Sequence, residues 1–345
     1  SSYEALRDKL GVNCMVVQAD AQMPDVPLYT ASVKTLSWMN GIFVAAVQLT
    51  GTANNTRRVY WSEDGIRWVR GQDLNDAYNE AACGNGRFVL LGATHIAWSS
   101  DGETWTEKEL PENMRGTYGS HIAFGRGKFV LIPVGLQNGA PAHKCFVSED
   151  GVSWSEHSIP TLQSGRDLAV LMYGRGLFVV ITSDGYISKS VDVISWIAVQ
   201  GRVPFPGGAY IGPYSGAVYA ETPELFVLSN KVGGEYGLIV SNDLDAWEAI
   251  PLKSAPKEAG WLVAGNGLIL LSLDDGSILA SADGLTWTAA AIPSDTSKGT
   301  MLFADGAFWV VRPYGVSKMR YGGDWKETFY LLRNASGVEI GILEV

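Results

Sequence analysis

The side chains best suited to acid–base or metal chemistry are scattered in this sequence. His95, His121, His143 and His157 fall in separate segments, without the close spacing by which a short element gathers metal ligands. Cys14, Cys83 and Cys145 are odd in number and far apart, which fits packed thiols better than a disulfide framework or a thiolate site. No Gly-x-Ser-x-Gly nucleophile elbow is present. No metal and no cofactor is expected. The aspartates are different, because they recur in a fixed setting.

That setting is a turn ending in tryptophan. It reads Trp61-Ser-Glu-Asp-Gly-Ile-Arg-Trp68, Trp98-Ser-Ser-Asp-Gly-Glu-Thr-Trp105 and Val147-Ser-Glu-Asp-Gly-Val-Ser-Trp154. Altered copies follow at Lys189-Ser-Val-Asp-Val-Ile-Ser-Trp196 and Val240-Ser-Asn-Asp-Leu-Asp-Ala-Trp247, then a clean one at Ala280-Ser-Ala-Asp-Gly-Leu-Thr-Trp287. Met319-Arg-Tyr-Gly-Gly-Asp-Trp325 keeps little beyond the turn and the tryptophan. The serine and aspartate are expected to bond neighbouring backbone N–H groups, and the glycine to take the left-handed position. Asp64, Asp101, Asp150, Asp192, Asp243 and Asp283 are thus structural, as are Trp68, Trp105, Trp154, Trp196, Trp247, Trp287 and Trp325, which wedge against a neighbouring layer. Calcium does not suit these turns: it takes about six or more oxygens, and each turn offers roughly two or three.

A second unit precedes each copy: a small turn, then an aromatic–aliphatic strand. Examples are Asn40-Gly-Ile-Phe-Val, Gly84-Asn-Gly-Arg-Phe-Val, Gly125-Arg-Gly-Lys-Phe-Val, Gly174-Arg-Gly-Leu-Phe-Val, Gly265-Asn-Gly-Leu-Ile-Leu and Asp305-Gly-Ala-Phe-Trp, with Pro223-Glu-Leu-Phe-Val in the fifth position. Asn-Gly and Gly-x-Gly are expected to supply the positive φ of tight hairpins. Two interleaved units, each counted seven times at blade-sized intervals of roughly 40–50 residues, predict an all-β, seven-bladed β-propeller of four-stranded antiparallel blades. The boundaries expected are 1–33 for an N-terminal extension, 34–325 for the propeller and 326–345 for a C-terminal hairpin. The terminal strands are left with two fates: attachment elsewhere, or covering the outer edge of a blade.

Ligand contacts are expected where the repeat breaks down. Long loops between second and third strands are expected at Thr50–Arg57, Val134–His143 and Asn230–Tyr236. The longest loop between blades, Gln200–Ser215, carries Phe205, Tyr210 and Tyr214; Tyr118 and Tyr236 are expected on the same face. Such aromatics suit sugar rings or protein side chains.

The motif Ser-x-Asp-Gly-x-Thr-Trp resembles the Asp-box, or bacterial neuraminidase repeat, over roughly residues 34–325. The resemblance implies a sialidase-like fold with these turns on the face away from the ligand. It would also imply, in a sialidase, an arginine triad for a carboxylate, a Tyr–Glu pair and an aspartic acid, the first arginine in an Arg-Ile-Pro motif. That motif is absent. Ahead of Ser62 stand Arg7, Arg57 and Arg58, the last two expected in a loop, and Arg312-Pro313 lies in the wrong blade. The sequence is also similar to propellers of bacteriophage tail and receptor-binding proteins. A non-catalytic module follows as the leading expectation, on a virion or cell surface and outside the cell, with a glycan or protein receptor as partner. A carbohydrate-active enzyme, or an assembly protein meeting other virion subunits through its termini, are the alternatives. The formal charge of −10 and the lack of a basic cluster argue against nucleic acid. No apolar run approaches the ~18 residues of a membrane span.

Overall fold

The computed structural model describes residues 15–22, 31–49, 56–117, 119–137, 140–141, 143–160, 168–204, 216–232, 235–252, 259–273, 275, 277–290, 300–312, 315–321, 331–333 and 339–342. Six consecutive segments each form one antiparallel four-stranded meander. Blade 1 comprises Ala31–Met39, Ile42–Leu49, Arg57–Ser62 and Val69–Leu74; blade 2, Tyr78–Gly84, Arg87–Gly92, His95–Ser99 and Thr106–Glu109. Blade 3 comprises Ser120–Gly125, Lys128–Pro133, Lys144–Ser148 and Ser155–Ser158; blade 4, Leu168–Gly174, Leu177–Thr182, Tyr186–Ser190 and Ile197–Arg202. Blade 5 comprises Ala217–Ala220, Leu225–Val232, Glu235–Ser241 and Glu248–Pro251; blade 6, Ala259–Gly265, Leu268–Leu273, Ile278–Ser281 and Thr288–Ala289. The first strands touch in sequence order, and that of blade 7 (Met301–Ala304) touches that of blade 1, so the ring is closed.

Blade 7 is assembled from both ends of the sequence. Met301–Ala304, Ala307–Arg312 and Gly315–Tyr321 supply three strands, and Met15–Gln22 pairs antiparallel with Gly315–Tyr321 as the outermost one. Residues 15–22, placed in the N-terminal extension by the sequence, take the second of the two expected fates and cover the outer edge of a blade. The pairing satisfies a row of backbone groups that the edge of an incomplete sheet would leave open. Trp325 lies outside the described residues, so its structural role is a proposal. Leu331–Arg333 and Glu339–Ile342 pair as a separate hairpin.

Local chemistry explains the two turns of each meander on one face. Asn85 and Gly86 have φ of 49° and 72°, Arg126 and Gly127 48° and 73°, and Asn266 and Gly267 46° and 70°. Two successive positive values match the right-handed twist of a hairpin. The first glycine of each Gly-x-Gly does something else. A Cβ on Gly84 would lie 2.1 Å from Phe124, on Gly125 2.3 Å from Tyr173, on Gly174 2.2 Å from Tyr219 and on Gly265 2.1 Å from Phe303. An aromatic ring of each following blade lies against the bare glycine of the one before it. The motif therefore combines a turn signal with a packing signal between blades.

The core is divided the same way. Among the described residues seven apolar clusters form, each at one junction between adjacent blades. Trp68 packs with Trp309 of blade 7, Trp105 with Val44 and Val59 of blade 1, and Trp196 with Val130 and Ile132 of blade 3. Each tryptophan thus wedges against the preceding blade.

Candidate functional site on the loop face

The face bearing the first-to-second and third-to-fourth turns is occupied with holding itself together. In blade 2, Ser99 Oγ donates to Asp101 Oδ1 at 2.9 Å and accepts from Gly102 N–H at 2.8 Å. Asp101 Oδ1 accepts from the N–H groups of Glu103 and Thr104 at 2.9 and 2.8 Å, and Trp105 Nε1 donates to Gly102 O at 2.9 Å. The arrangement persists in blades 4 and 5, where Val193 and Leu244 hold the glycine position at φ of 64° and 74°. The donors pull the carboxyls down: the Ser153 N–H holds Asp150 at about 2, against burial, and the Thr286 N–H does the same for Asp283. The exposed large apolar side chains on and just after these turns are aliphatic: Ile66, Val69, Val191, Ile194, Ile197 and Leu285.

The opposite face carries the second-to-third turns and the links between blades. Here the innermost strands break register, between Val33 and Thr35, Tyr78 and Glu80, Leu168 and Val170, and Ala259 and Leu262. Bulges of this kind re-aim groups at sheet ends and beside sites. Three of them turn a carbonyl toward the preceding blade. Lys34 O accepts from Thr300 Oγ1 at 3.2 Å, Ala169 O meets His121 Nε2 at 3.2 Å, and Gly260 O accepts from Ser229 Oγ at 3.3 Å. The bulge of blade 6 also leaves Trp261 38% exposed, with its backbone N–H on Ser272 Oγ. In blade 4, Tyr186 is 44% exposed, and the Arg202 guanidinium lies 4.5 Å from its ring centroid. Both aromatics were missed in the sequence. Trp261 has no motif around it, and Tyr186 follows a turn that reads as plain scaffold.

His121 links three innermost strands. Its Nδ1 lies 3.1 Å from Glu80 Oε1 in blade 2, while Nε2 meets Ala169 O in blade 4. Burial alone would lower its pKa; the Glu80 charge, their hydrogen bond and the Ala169 carbonyl outweigh that and raise it. With both ring nitrogens engaged, the imidazole is a strut rather than a free base. Among the described residues no group of three His, Cys, Asp or Glu side chains is placed to hold a metal ion.

Between blades 1 and 2 the loop face has a cleft bounded by Lys34, Arg57, Arg58, Asp76 and Tyr78 over an apolar floor of Val47 and Leu74. Arg57 and Arg58 open the third strand of blade 1 and are not in a loop; they pair with Gln48 and Val47 across the ladder. Arg58 is buried and forms a two-pronged pair with Asp73, Nη2 to Oδ2 at 3.0 Å, which raises the guanidinium pKa and lowers that of the carboxyl. Asp76 accepts from the N–H groups of Ala77, Thr94 and His95 and from Thr94 Oγ1, and so clamps the blade 2 turn. Burial opposes its ionisation, but these donors prevail and its pKa is lowered. Tyr78 donates to Glu107 Oε1 at 2.6 Å.

The aromatics expected from the sequence fare differently. Phe205, Tyr210, Tyr214 and Tyr118 lie outside the described residues, and of Tyr236 the backbone alone is described, paired with Lys231. The loop expected at Asn230–Tyr236 is instead a continuing hairpin: the ladder runs on to Val232 opposite Glu235, because both strands sustain pairing up to that point. Within Val134–His143, Leu136–Gln137 and Ala140–Pro141 form a small hairpin.

No family model matches the chain and no curated protein matches it in sequence. Solved structures do. A catalytically inactive virginiamycin B lyase from Staphylococcus aureus with quinupristin aligns at TM-score 0.67 and 10% identity over 89% of this chain and 99% of that one. YCF48 from Cyanidioschyzon merolae aligns at TM-score 0.61 and 15% identity over 88% and 100%. The extracellular domain of the one-component system BT4673 from B. thetaiotaomicron aligns at TM-score 0.59 and 13% identity over 95% and 44%. At these identities the likeness concerns architecture, and by architecture the chain is a seven-bladed β-propeller.

Proposed function

We propose that this chain is a non-catalytic binding propeller that takes its ligand on the loop face. The observation that carries the reading is the segregation of exposed large apolar side chains. Among the described residues, the exposed large aromatics, Trp261 and Tyr186, both stand on the loop face, and the turn face presents aliphatics beside fully bonded serine–aspartate turns. Aromatic anchors give large contact area at low entropic cost and dominate recognition surfaces. YCF48 is known bound to D1 peptide, and the BT4673 domain is extracellular, so propellers of this architecture serve binding and surface roles elsewhere. The finer reading is a receptor-binding module of Asp-box type on a virion such as a phage tail, or on a cell surface, recognising a protein or glycan. Among the described residues no helix is long and apolar enough to cross a membrane.

The test is a glycan array and cross-linked capture from candidate host surfaces, with wild type, Trp261→Ala/Tyr186→Ala and, as the opposite-face control, Ile194→Ser/Ile197→Ser. Loss of binding with the first pair is expected. Binding that survives it and disappears with the second pair would place the ligand on the turn face and sink the proposal.

A further inference from the structure

We infer that the outer corner of blade 4, its serine–aspartate turn together with the edge strand Ile197–Arg202, is a self-association surface on which a second copy of this chain pairs antiparallel across a two-fold axis. This interface is additional to the loop-face reading above and does not depend on it.

The blade repeat supplies its own comparison. Val191, Ile194 and Ile197 are 53%, 60% and 61% exposed, the three highest values for a large apolar side chain among the described residues. They share one turn and the first residue of the strand after it, and the turn is closed by Ser190 Oγ donating to Ser195 O at 2.8 Å. The same three positions hold Ser100, Glu103 and Thr106 in blade 2, and Asn242, Asp245 and Glu248 in blade 5. Among blades 1 to 6, blade 4 alone is apolar at all three. The turn does not need them. Ser190 and Asp192 make its bonds, accepting from the N–H groups of Val193, Ile194 and Ser195, as their counterparts do in blade 2. A contiguous apolar patch that the scaffold does not use marks an interaction surface.

The strand that follows is an open edge. Ile197–Arg202 pairs with Tyr186–Ser190 on its inner side and with no described strand on its outer side. Proteins guard such edges with charges, proline or short length. Asp73, Glu107, Glu156, Pro251 and Asp20 stand in the outer strands of blades 1, 2, 3, 5 and 7, and that of blade 6 is Thr288–Ala289 alone. The blade 4 strand is uncharged from Ile197 to Gly201. Its one charge, Arg202, is held at the far end by Asp184 O and the Tyr186 ring. Charge also selects the occupant. Two copies of a chain with net charge −10 repel each other over most approaches. From Ser190 to Ile197 the sole carboxylate is Asp192, and Lys189, opposite Ile197 in the ladder, offsets it; the matching stretch of blade 5 carries Asp243, Asp245 and Glu248. Two copies therefore meet at blade 4 with little repulsion. A neutral aliphatic strand is complementary to itself, as a two-fold interface requires. The axis sets the two edges antiparallel and joins two four-stranded blades into one continuous sheet.

The experiment is analytical ultracentrifugation of the full chain over a concentration series, with wild type, Ile197→Lys, Ala198→Lys and, on blade 6, Leu285→Lys. One edge strand and one turn make an interface at the small end of the specific range, below ~1,200 Å². Wild type should therefore dimerise with a constant on the order of 10–100 µM. Ile197 and Ala198 are exposed, so lysine is accommodated in the monomer at either position. Each lysine brings like charges together across the axis and should weaken the dimer at least about tenfold. Leu285→Lys places the same charge on another exposed turn aliphatic and should leave the dimer unchanged. Alternate backbone amides of Ile197–Gln200 should exchange hydrogen more slowly in the concentrated sample than in the dilute one. A wild type that stays monomeric up to about 1 mM, or a dimer that both blade 4 lysines leave intact, overturns the surface. So does a dimer lost equally with Leu285→Lys. Mass that climbs past the dimer without limit marks a head-to-tail contact and overturns the two-fold axis. A dimer without slowed exchange overturns the strand pairing. Molecular mass decides this interface and ligand capture decides the loop face, so each reading fails alone.

Discussion

Replacing Val193 tests how the serine–aspartate turn is held in a blade that lost its glycine. Val193 sits at φ 64°, a region unfavourable for a β-branched residue, and its side chain is fully buried at the junction of blades 3 and 4. The two facts pull in opposite directions. Left-handed backbone costs an ordinary residue about 1–2 kcal/mol. Burying a valine side chain contributes about 1.5–3 kcal/mol. Val193→Ala keeps the strain and loses two methyl groups, so a loss of about 1.5–3 kcal/mol is expected, cavity included. Val193→Gly loses one methyl more, worth about 0.8 kcal/mol, but releases the strain. The glycine variant should therefore match the alanine variant or exceed it by up to about 1 kcal/mol. Elsewhere glycine is the worse of the two by about 0.5–1 kcal/mol. Urea midpoints of the three proteins decide it, provided the m-values agree. Should Val193→Gly unfold at clearly lower urea than Val193→Ala, the strain is not stored at this residue and the reasoning fails. Leu244, at φ 74° and equally buried, is the independent repeat.

Three other outcomes are expected. Asp150 and Asp283 have folded pKa values near 2, below their ordinary 3.8, so the stability they supply is complete above about pH 4 and is lost as pH falls toward 2. The pH titration of the urea midpoint should be shallower in that window for Asp150→Asn/Asp283→Asn than for wild type, and an unchanged slope would contradict this. His121 has the opposite sign. Its folded pKa is raised, so its contribution is complete below about pH 6.5 and is lost as pH rises through the folded value; His121→Gln should abolish that alkaline decline. Gly125→Ala, whose Cβ would meet Tyr173 at 2.3 Å, should cost about 1–3 kcal/mol of overpacking, and Tyr173→Leu in the same chain should recover part of it in thermal melts.

The blade count was legible because its signals are local. An Asn-Gly or Arg-Gly pair has to sit at a hairpin, and a Ser-x-Asp turn carries its own hydrogen bonds, so both survive in sequence even where Val193 or Leu244 replaces glycine. Features that arise between blades were not legible. Nothing near Met15–Gln22 announces a partner at Gly315–Tyr321, and the ring packed on Gly125 belongs to a residue in another blade. The candidate site is of the latter kind. His121 and Glu80 stand 41 positions apart, and Lys34 and Arg57 of blade 1 share with Tyr78 of blade 2 a cleft that exists once two blades are side by side. Trp261 was invisible for a different reason: its exposure follows from one slipped register in an otherwise ordinary strand.

The shared blade also sets an order in time. The strand Met15–Gln22 leaves the ribosome before blades 1 to 6, and its hydrogen-bonding partner, Gly315–Tyr321, after them. Blades 1 to 6 have all their strands in sequence and can form as they emerge, whereas the seventh waits until all six have been made. Through that interval one strand travels unpaired beside a growing arc with two raw ends. Any arc that stalls there presents an open edge and a loose strand to its neighbours, the ingredients of a head-to-tail exchange between chains.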